Sequence, residues 1–146
     1  MTPKVLFWVQ HLLGIGHLKR TSTLARALAA GGFDVTVVSG GFPVPGLRLG
    51  GAKLVQLSPV RAVDVYFKVL HTEDEQPITD EWRTKRLAAL MAAADSIRPD
   101  IVLTELFPFG RRQLAFELEP FLTTMRQRRA YIACSVRDIL VEPPKP

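Results

Sequence analysis

Short apolar, β-rich runs alternate along the chain with longer segments in which apolar residues recur at spacings of three and four. The apolar runs, each predicted to be a strand, are 4–10, 34–39, 52–57, 100–104 and 130–135. The first run is almost continuously apolar and the others are apolar enough to be central, which is typical of strands buried on both faces of a parallel sheet. The segments with helical periodicity are 17–30, 80–98 and 111–129. Pro120 is expected to kink or split the last of these helices.

Because strands and helices alternate, successive strands are joined by crossovers that make them parallel. We therefore predict an α/β fold, a Rossmann-like parallel sheet with strand order 3-2-1-4-5, counting only the predicted strands. This domain is expected to span residues 1–140, and the Pro-rich segment 141–146 reads as the start of an interdomain linker. Residues 58–79 are predicted to be a long loop, with a short helix near 65–70.

Composition narrows the protein class. The 146 residues include 19 Lys and Arg against 14 Asp and Glu, and a single cysteine, Cys134, which excludes a disulfide framework and a Cys-based zinc cage. No metal-ligand spacing is visible, so neither a metal nor a cofactor is expected. The basic residues are scattered over several elements, which argues against nucleic-acid binding. The apolar start is too short to span a bilayer and lacks a cleavage site, so we expect a cytoplasmic protein.

In sheets of this kind ligands bind beyond the carboxyl ends of the strands. The first such loop contains Gly14 and Gly16 and leads into a helix, whose N-terminal backbone N–H groups favour a phosphate or another anion. The alternative is a tight turn that simply requires glycine. Lys19 stands where a dinucleotide fingerprint needs Gly or Ala, and no P-loop pattern occurs, so these two motifs are excluded.

Candidate catalytic groups follow the first and fourth predicted strands. His17, aimed into the cleft, could act as a general base, or it could serve only as a residue at the helix start. Glu105 directly follows the fourth strand, which neighbours the first in the predicted order, so its carboxylate should approach and orient His17. Arg20 is well placed for an anionic ligand, with plain solubility as the alternative.

Residues after the fourth strand provide candidate binding groups. Phe107, Pro108 and Phe109 would form a rigid apolar wall, or at least one of the aromatic rings would plug the sheet edge. Gly110 and Arg111 follow, with Arg111 predicted to begin a helix. Elsewhere, we expect His11 to be a packed strand-end residue, His71 to be a surface residue, and Arg137 with Asp138 to form a local salt bridge.

Four segments resemble the N-terminal domain of predicted glycosyltransferases that are related to the MurG-like family 28 enzymes with the GT-B fold. The loop GIGH is shared by many GT-B enzymes, whereas TELFPFGRRQ is more particular. The segments are QHLLGIGHLKR (10–20), VTVVSGG (35–41), PDIVLTELFPFGRRQLAFEL (99–118) and SVRDIL (135–140).

The resemblance implies an inverting, metal-independent transferase with two Rossmann-like domains that face each other across a cleft. This half would hold the acceptor, and a C-terminal domain would hold most of a nucleotide sugar, such as a UDP-sugar. His17 would deprotonate the acceptor hydroxyl. The candidate substrate-binding residues are Gly14, Gly16, Arg20, Phe109, Gly110 and Arg111. The chain stops at Pro146, so the donor domain is expected in a continuing chain or a partner subunit, and this half is expected to be inactive alone.

A different class of function also fits the pattern. The domain could be a non-catalytic binding or assembly module that docks a catalytic partner through its cleft face. Peripheral membrane contact through the segment 63–70 is a further option, with an inward-facing loop helix as its alternative.

Overall fold

The computed structural model describes residues 2–66 and 69–137 as an α/β fold. Two pairs of residues each form a very short strand, and a 3-10 helix precedes the last α-helix. In chain order the elements are β1 (Lys4–Val9), α1 (Gly16–Ala30), β2 (Asp34–Ser39), β3 (Lys53–Gln56), β4 (Arg61–Ala62), β5 (Leu70–His71), α2 (Asp80–Ile97), β6 (Ile101–Glu105), the 3-10 helix (Arg112–Leu114), α3 (Ala115–Gln127) and β7 (Tyr131–Ser135).

The main sheet has five parallel strands in the order β3-β2-β1-β6-β7. This order confirms the predicted Rossmann-like sheet, since β6 and β7 are the fourth and fifth predicted strands. In the register of the central strand, Phe7 pairs with Val37 on one side and with Leu103 on the other. The carboxyl ends of β1 and β6 therefore lie side by side.

The central strand β1 is buried on both faces, which explains its unbroken apolar run. Alternate side chains of a strand point to opposite faces. Leu6 and Trp8 belong to the core formed with α2 and α3, and Val5, Phe7 and Val9 belong to the core beneath α1. All five are at most 1% exposed. The helices thus cover both faces of the sheet and leave the ends of its strands open to ligands.

Two local predictions were wrong. The segment predicted as a short helix contains a strand residue, Leu70, and β4 and β5 form an antiparallel pair in which Arg61 faces His71. His71 is therefore a half-buried strand residue. For Pro120, the expectation was a kink or a split; a split does not occur, because α3 runs continuously from Ala115 to Gln127.

The helix predicted to begin at Arg111 also begins differently. Arg111 adopts a left-handed conformation (φ 62°), so the 3-10 turn starts only after it. Predictions about Asp138, about residues 139 and 140, and about the linker 141–146 fall outside the described residues.

Candidate functional site

The loop between β1 and α1 leaves an open backbone at the carboxyl end of the sheet. Neither Gly14 nor Gly16 has a positive φ, so the turn itself does not require glycine. A Cβ at Gly14 would meet nothing within 4 Å. Helix α1 begins at Gly16 with no side-chain cap and no acidic residue in its first turn. Its first N–H groups are therefore open to an anion, which the helix dipole would favour.

His17 and Glu105 lie in contact at the adjoining ends of α1 and β6. Nδ1 of His17 is 3.2 Å from Oε1 of Glu105. The carboxylate is 1% exposed, whereas the imidazole is 23% exposed. An ionised carboxylate only accepts hydrogen bonds, so Nδ1 is the protonated nitrogen in this contact. The lone pair on Nε2 is then left for a substrate proton.

Arg20 ties the same carboxylate to the neighbouring strand. Its Nε lies 3.5 Å from Oε1 of Glu105. The guanidinium also donates to Oγ of Ser135 and to the carbonyl of Val136, the latter at 2.7 Å. Oε2 of Glu105 is buried and has no hydrogen-bond partner among the described residues. The buried carboxylate of Glu105 therefore lies close to both Arg20 and His17.

An open groove of about 400 Å³ lies over this pair. Burial lowers the pKa of Arg111, and the charge of Glu105 opposes that shift. Nε of Arg111 donates to the backbone carbonyl of Gln10 at 2.6 Å, which fixes the arginine to the end of β1. The groove is lined by Leu13, Gly14, Gly16, His17, Arg111 and Arg137. Two arginines and the open amides make it suited to a ligand with negative charge.

The residues that follow β6 divide between core and surface. Phe107 is 7% exposed and packs in the core. It therefore plugs the sheet edge, which is one of the two alternatives predicted for the aromatic residues. Phe109 is 58% exposed. Gly110 lies so close to Leu106 that a Cβ at Gly110 would overlap the leucine side chain. Neither Phe109 nor Gly110 lines the groove, so the structure does not bring these two candidates to His17.

Behind the groove lies a charged network that sequence reasoning missed. Arg86 of α2 and Glu117 of α3 are both fully buried, with Nε and Oε1 3.2 Å apart. Nη2 of Arg86 donates to Oε1 of Gln10 at 2.7 Å, and Nη1 donates to the carbonyl of Ser58 at 2.8 Å. Nε1 of Trp8 donates to Oε2 of Glu117. The network therefore joins both helices to the ends of the strands that form the site.

Burial shifts both members of this pair towards their neutral forms. The pKa of Glu117 is raised by burial, against the opposing effects of Arg86 and Trp8. The pKa of Arg86 is lowered by burial, against the opposing charge of Glu117. One signal in the sequence could have revealed Glu117, since it occupies the apolar face of its helix between Leu114 and Phe121. Such a position requires a buried partner.

His11 is a packed residue that follows the end of β1, as predicted. It is 6% exposed, and its Nε2 lies 2.9 Å from the carbonyl of Phe42. Burial lowers the pKa of His11, with Arg111 adding to the shift and the hydrogen bond to Phe42 opposing it.

Among residues 2–66 and 69–137, no group of three His, Cys, Asp or Glu side chains is placed to hold a metal ion. Within the same residues, every helix is too short or too polar to cross a bilayer.

Comparisons with known proteins give structural matches only. No protein-family model matches the sequence, and no curated protein shows a significant match. UGT2 of Phytolacca americana, in complex with UDP-2fluoro-glucose and pterostilbene, matches with a TM-score of 0.58 and 14% identity over 92% of this chain and 30% of that chain. The apo form of UGT2 matches with a TM-score of 0.56 and 15% identity over 92% and 29% of the two chains.

CalG4, the calicheamicin glycosyltransferase, matches with a TM-score of 0.45 and 21% identity over 79% of this chain and 30% of that one, too distant to carry an argument. The likeness to UGT2 shows the fold. The chain has a Rossmann-type fold shared with part of a UDP-glycosyltransferase, and it spans about 30% of the length of UGT2.

Proposed function

We propose that the chain is the acceptor-side, N-terminal domain of a nucleotide-sugar-dependent glycosyltransferase, in which His17 is the catalytic base. The observation that carries this proposal is the contact of 3.2 Å between His17 and the buried carboxylate of Glu105, at the edge of the sheet where such folds bind ligands. The fold shared with UGT2 supports the same reaction class.

In the proposed reaction, Nε2 of His17 takes the proton from an acceptor hydroxyl as its oxygen attacks the anomeric carbon of the sugar. The new carbon–oxygen bond forms as the bond from that carbon to the nucleotide diphosphate breaks, with inversion. Glu105 accepts the hydrogen bond from Nδ1 and stabilises the imidazolium that results. Negative charge develops on the departing diphosphate, and Arg111, Arg137 and the open amides of Gly14 and Gly16 face the groove where it would be stabilised.

The donor is proposed to be a UDP-sugar that supplies a hexosyl group, bound mainly by a second Rossmann-like domain outside this chain. UGT2 binds UDP-2fluoro-glucose in its complex, and this chain corresponds to about 30% of such a protein. The MurG-like subgroup and a cytoplasmic location remain predictions from the sequence. We expect no turnover from these 146 residues alone, since most of the proposed donor site would lie in the second domain.

The test uses the protein together with its donor domain, either as the longer natural chain or with a partner subunit. His17→Ala should lower turnover of a UDP-sugar by about 10²-fold or more, while the affinity for the donor stays unchanged. His71→Ala is the matched control, because His71 lies in β5, away from the groove, and should leave turnover unchanged. Full turnover by His17→Ala, or turnover by the isolated 146 residues, would reject the proposal.

An assembly module that docks a catalytic partner is the second candidate function. Apolar side chains are exposed in the loops after three neighbouring strands, with Leu13 at 48%, Phe109 at 58% and Val136 at 38%. In both readings these residues would meet another domain. The two candidate functions predict different results for His17→Ala, because a docking module that carries this substitution would leave its partner fully active.

A further inference from the structure

A second groove lies on the flank of α1 that faces away from the candidate active site. It has a volume of about 470 Å³ and runs between α1 and the loop 42–50, which connects β2 to β3. Residues two apart on a helix point in nearly opposite directions. His17 and Arg20 accordingly contact β6 and β7, whereas Lys19 lines the second groove.

The polar part of this groove is basic. Lys19 and Arg26 stand two helical turns apart on α1, and Arg48 stands opposite them on the loop 42–50; all three are exposed. None of the described residues that line the groove is acidic. Three positive charges thus face one groove without a carboxylate to neutralise them there, which favours a ligand carrying a phosphate.

The central arginine of this groove is held in place by the protein. Nη1 of Arg26 donates to the carbonyl of Arg48 at 2.7 Å, and Nη2 donates to Oγ1 of Thr23. Its aliphatic stem lies against Gly50, where φ is +59° and a Cβ would come within 3.1 Å of Cγ of Arg26. The remaining donors of the guanidinium are therefore pre-oriented, which lowers the entropy cost of binding an anion.

The rest of the groove is apolar. Ile15, Val44 and Leu47 line it, and the last two also pack against the core beneath α1. A bare inorganic ion would leave this apolar surface uncovered. A ligand with an apolar body would cover it and gain from its burial.

We propose that the groove between α1 and the loop 42–50 is a second binding site, which takes an organic phosphate with an apolar body. The site is independent of the proposed transferase reaction, since it shares neither His17 nor Glu105. Its phosphate is held by Lys19, Arg26 and Arg48, and its body lies on Val44 and Leu47.

The test is a titration of the ¹⁵N-labelled chain, followed by amide chemical shifts, with three probes at constant ionic strength. 1-Naphthyl phosphate carries both features of the proposed ligand, 1-naphthol only the apolar body, and inorganic phosphate only the charge. We expect saturable shifts in residues 19–26 and 44–48, with 1-naphthyl phosphate bound about tenfold more tightly than either other probe. Equal affinities, shifts confined to Gly14, Gly16 and Arg111, or no saturation would overturn the proposal.

Charge variants check the assignment. Replacing Lys19 and Arg48 together by alanine should weaken 1-naphthyl phosphate about tenfold, whereas a control variant should bind it normally. In the control, Lys85 of α2 and Arg128, which follows α3, are replaced by alanine, so the change in net charge is the same. Amide spectra of each variant without probe report folding. Equal binding by the two variants would overturn the proposal.

A second arm of the experiment identifies the source of the phosphate, using sedimentation with phosphatidylcholine vesicles with and without phosphatidic acid. Binding only to vesicles with phosphatidic acid, lost in the Lys19 and Arg48 variant, supports the site and assigns it to a lipid headgroup. Binding of the soluble ester without vesicle binding supports the site and assigns it to a soluble metabolite.

Discussion

Arg86 and Glu117 form an ion pair in which both side chains are fully buried, and which joins α2 to α3 behind the candidate active site. The same guanidinium binds the side chain of Gln10 and the carbonyl of Ser58, so one arginine connects two helices with the loops that follow β1 and β3. Gln10 in turn accepts from Arg111, which lines the groove over His17. The buried pair is therefore connected to the groove through Gln10, although neither of its members lines the groove.

Removing one member of this pair should be strongly destabilising, because the other charge is left buried without a partner. We expect Arg86→Met to lower the free energy of unfolding by about 3–5 kcal/mol, measured by urea denaturation. The control is Arg128→Ala, which breaks the exposed pair with Asp95 and should cost about 1 kcal/mol or less.

The double variant separates the pair from its other contacts. Arg86→Met combined with Glu117→Leu removes both charges, so its cost should be smaller than the sum of the two single costs by about 2 kcal/mol. Strict additivity of the two substitutions would show that the ion pair does not couple α2 to α3.

Substitution by alanine should destabilise the protein at Gly40 but hardly at Gly14. A Cβ at Gly40 would overlap Nη2 of Arg86 and Oε1 of Gln10, so Gly40→Ala should cost about 1–3 kcal/mol in thermal or urea unfolding. Gly14→Ala meets nothing within 4 Å and should change stability by less than about 0.5 kcal/mol. Equal stabilities of the two variants would contradict the close packing of Arg86 around Gly40.

His11 should make the stability of the chain depend on pH. Burial lowers its pKa below the ordinary value of 6.5 in the folded state, so protonation favours the unfolded chain. The stability that His11 contributes is present above 6.5 and is lost as the pH falls through the lower folded-state pKa. We expect urea denaturation between pH 8 and 5 to show a smaller loss for His11→Gln than for the unaltered chain. Parallel curves would show that His11 does not titrate differently in the two states.

The central strands could be predicted because burial on both faces of β1 and β2 leaves an apolar run in the sequence. The same prediction was wrong for β3, which lies at the edge of the sheet with three of its four residues exposed. In β1, Leu6 and Trp8 lie on one face and Phe7 on the other, so the run from Val5 to Val9 has no polar position. The strand order is the one typical of Rossmann-type sheets. The hairpin of β4 and β5 could not be predicted this way, since two-residue strands have no periodicity and depend on tertiary contacts.

The candidate site was predictable where topology alone places residues and less so where long side chains meet. That His17 and Glu105 should lie close follows from the adjacency of β1 and β6. Other contacts depend on long side chains that reach from one element to another, and the spacing of residues in the sequence does not reveal them. Examples are the hydrogen bonds from Arg20 to Ser135 and from Arg86 to Gln10. The functional roles of His17 and Glu105 remain proposals.

Glu105→Gln should separate the charge of the dyad from its shape. The amide has nearly the size of the carboxylate and its oxygen can still accept from Nδ1 of His17, but it cannot stabilise an imidazolium. In the protein with its donor domain, we expect kcat to fall about 10²–10⁴-fold with little change in KM for the donor. Glu119→Gln makes the same chemical change at an exposed position of α3 and should leave kcat unaltered. Equal kcat values of the two variants would show that Glu105 serves the fold rather than the reaction.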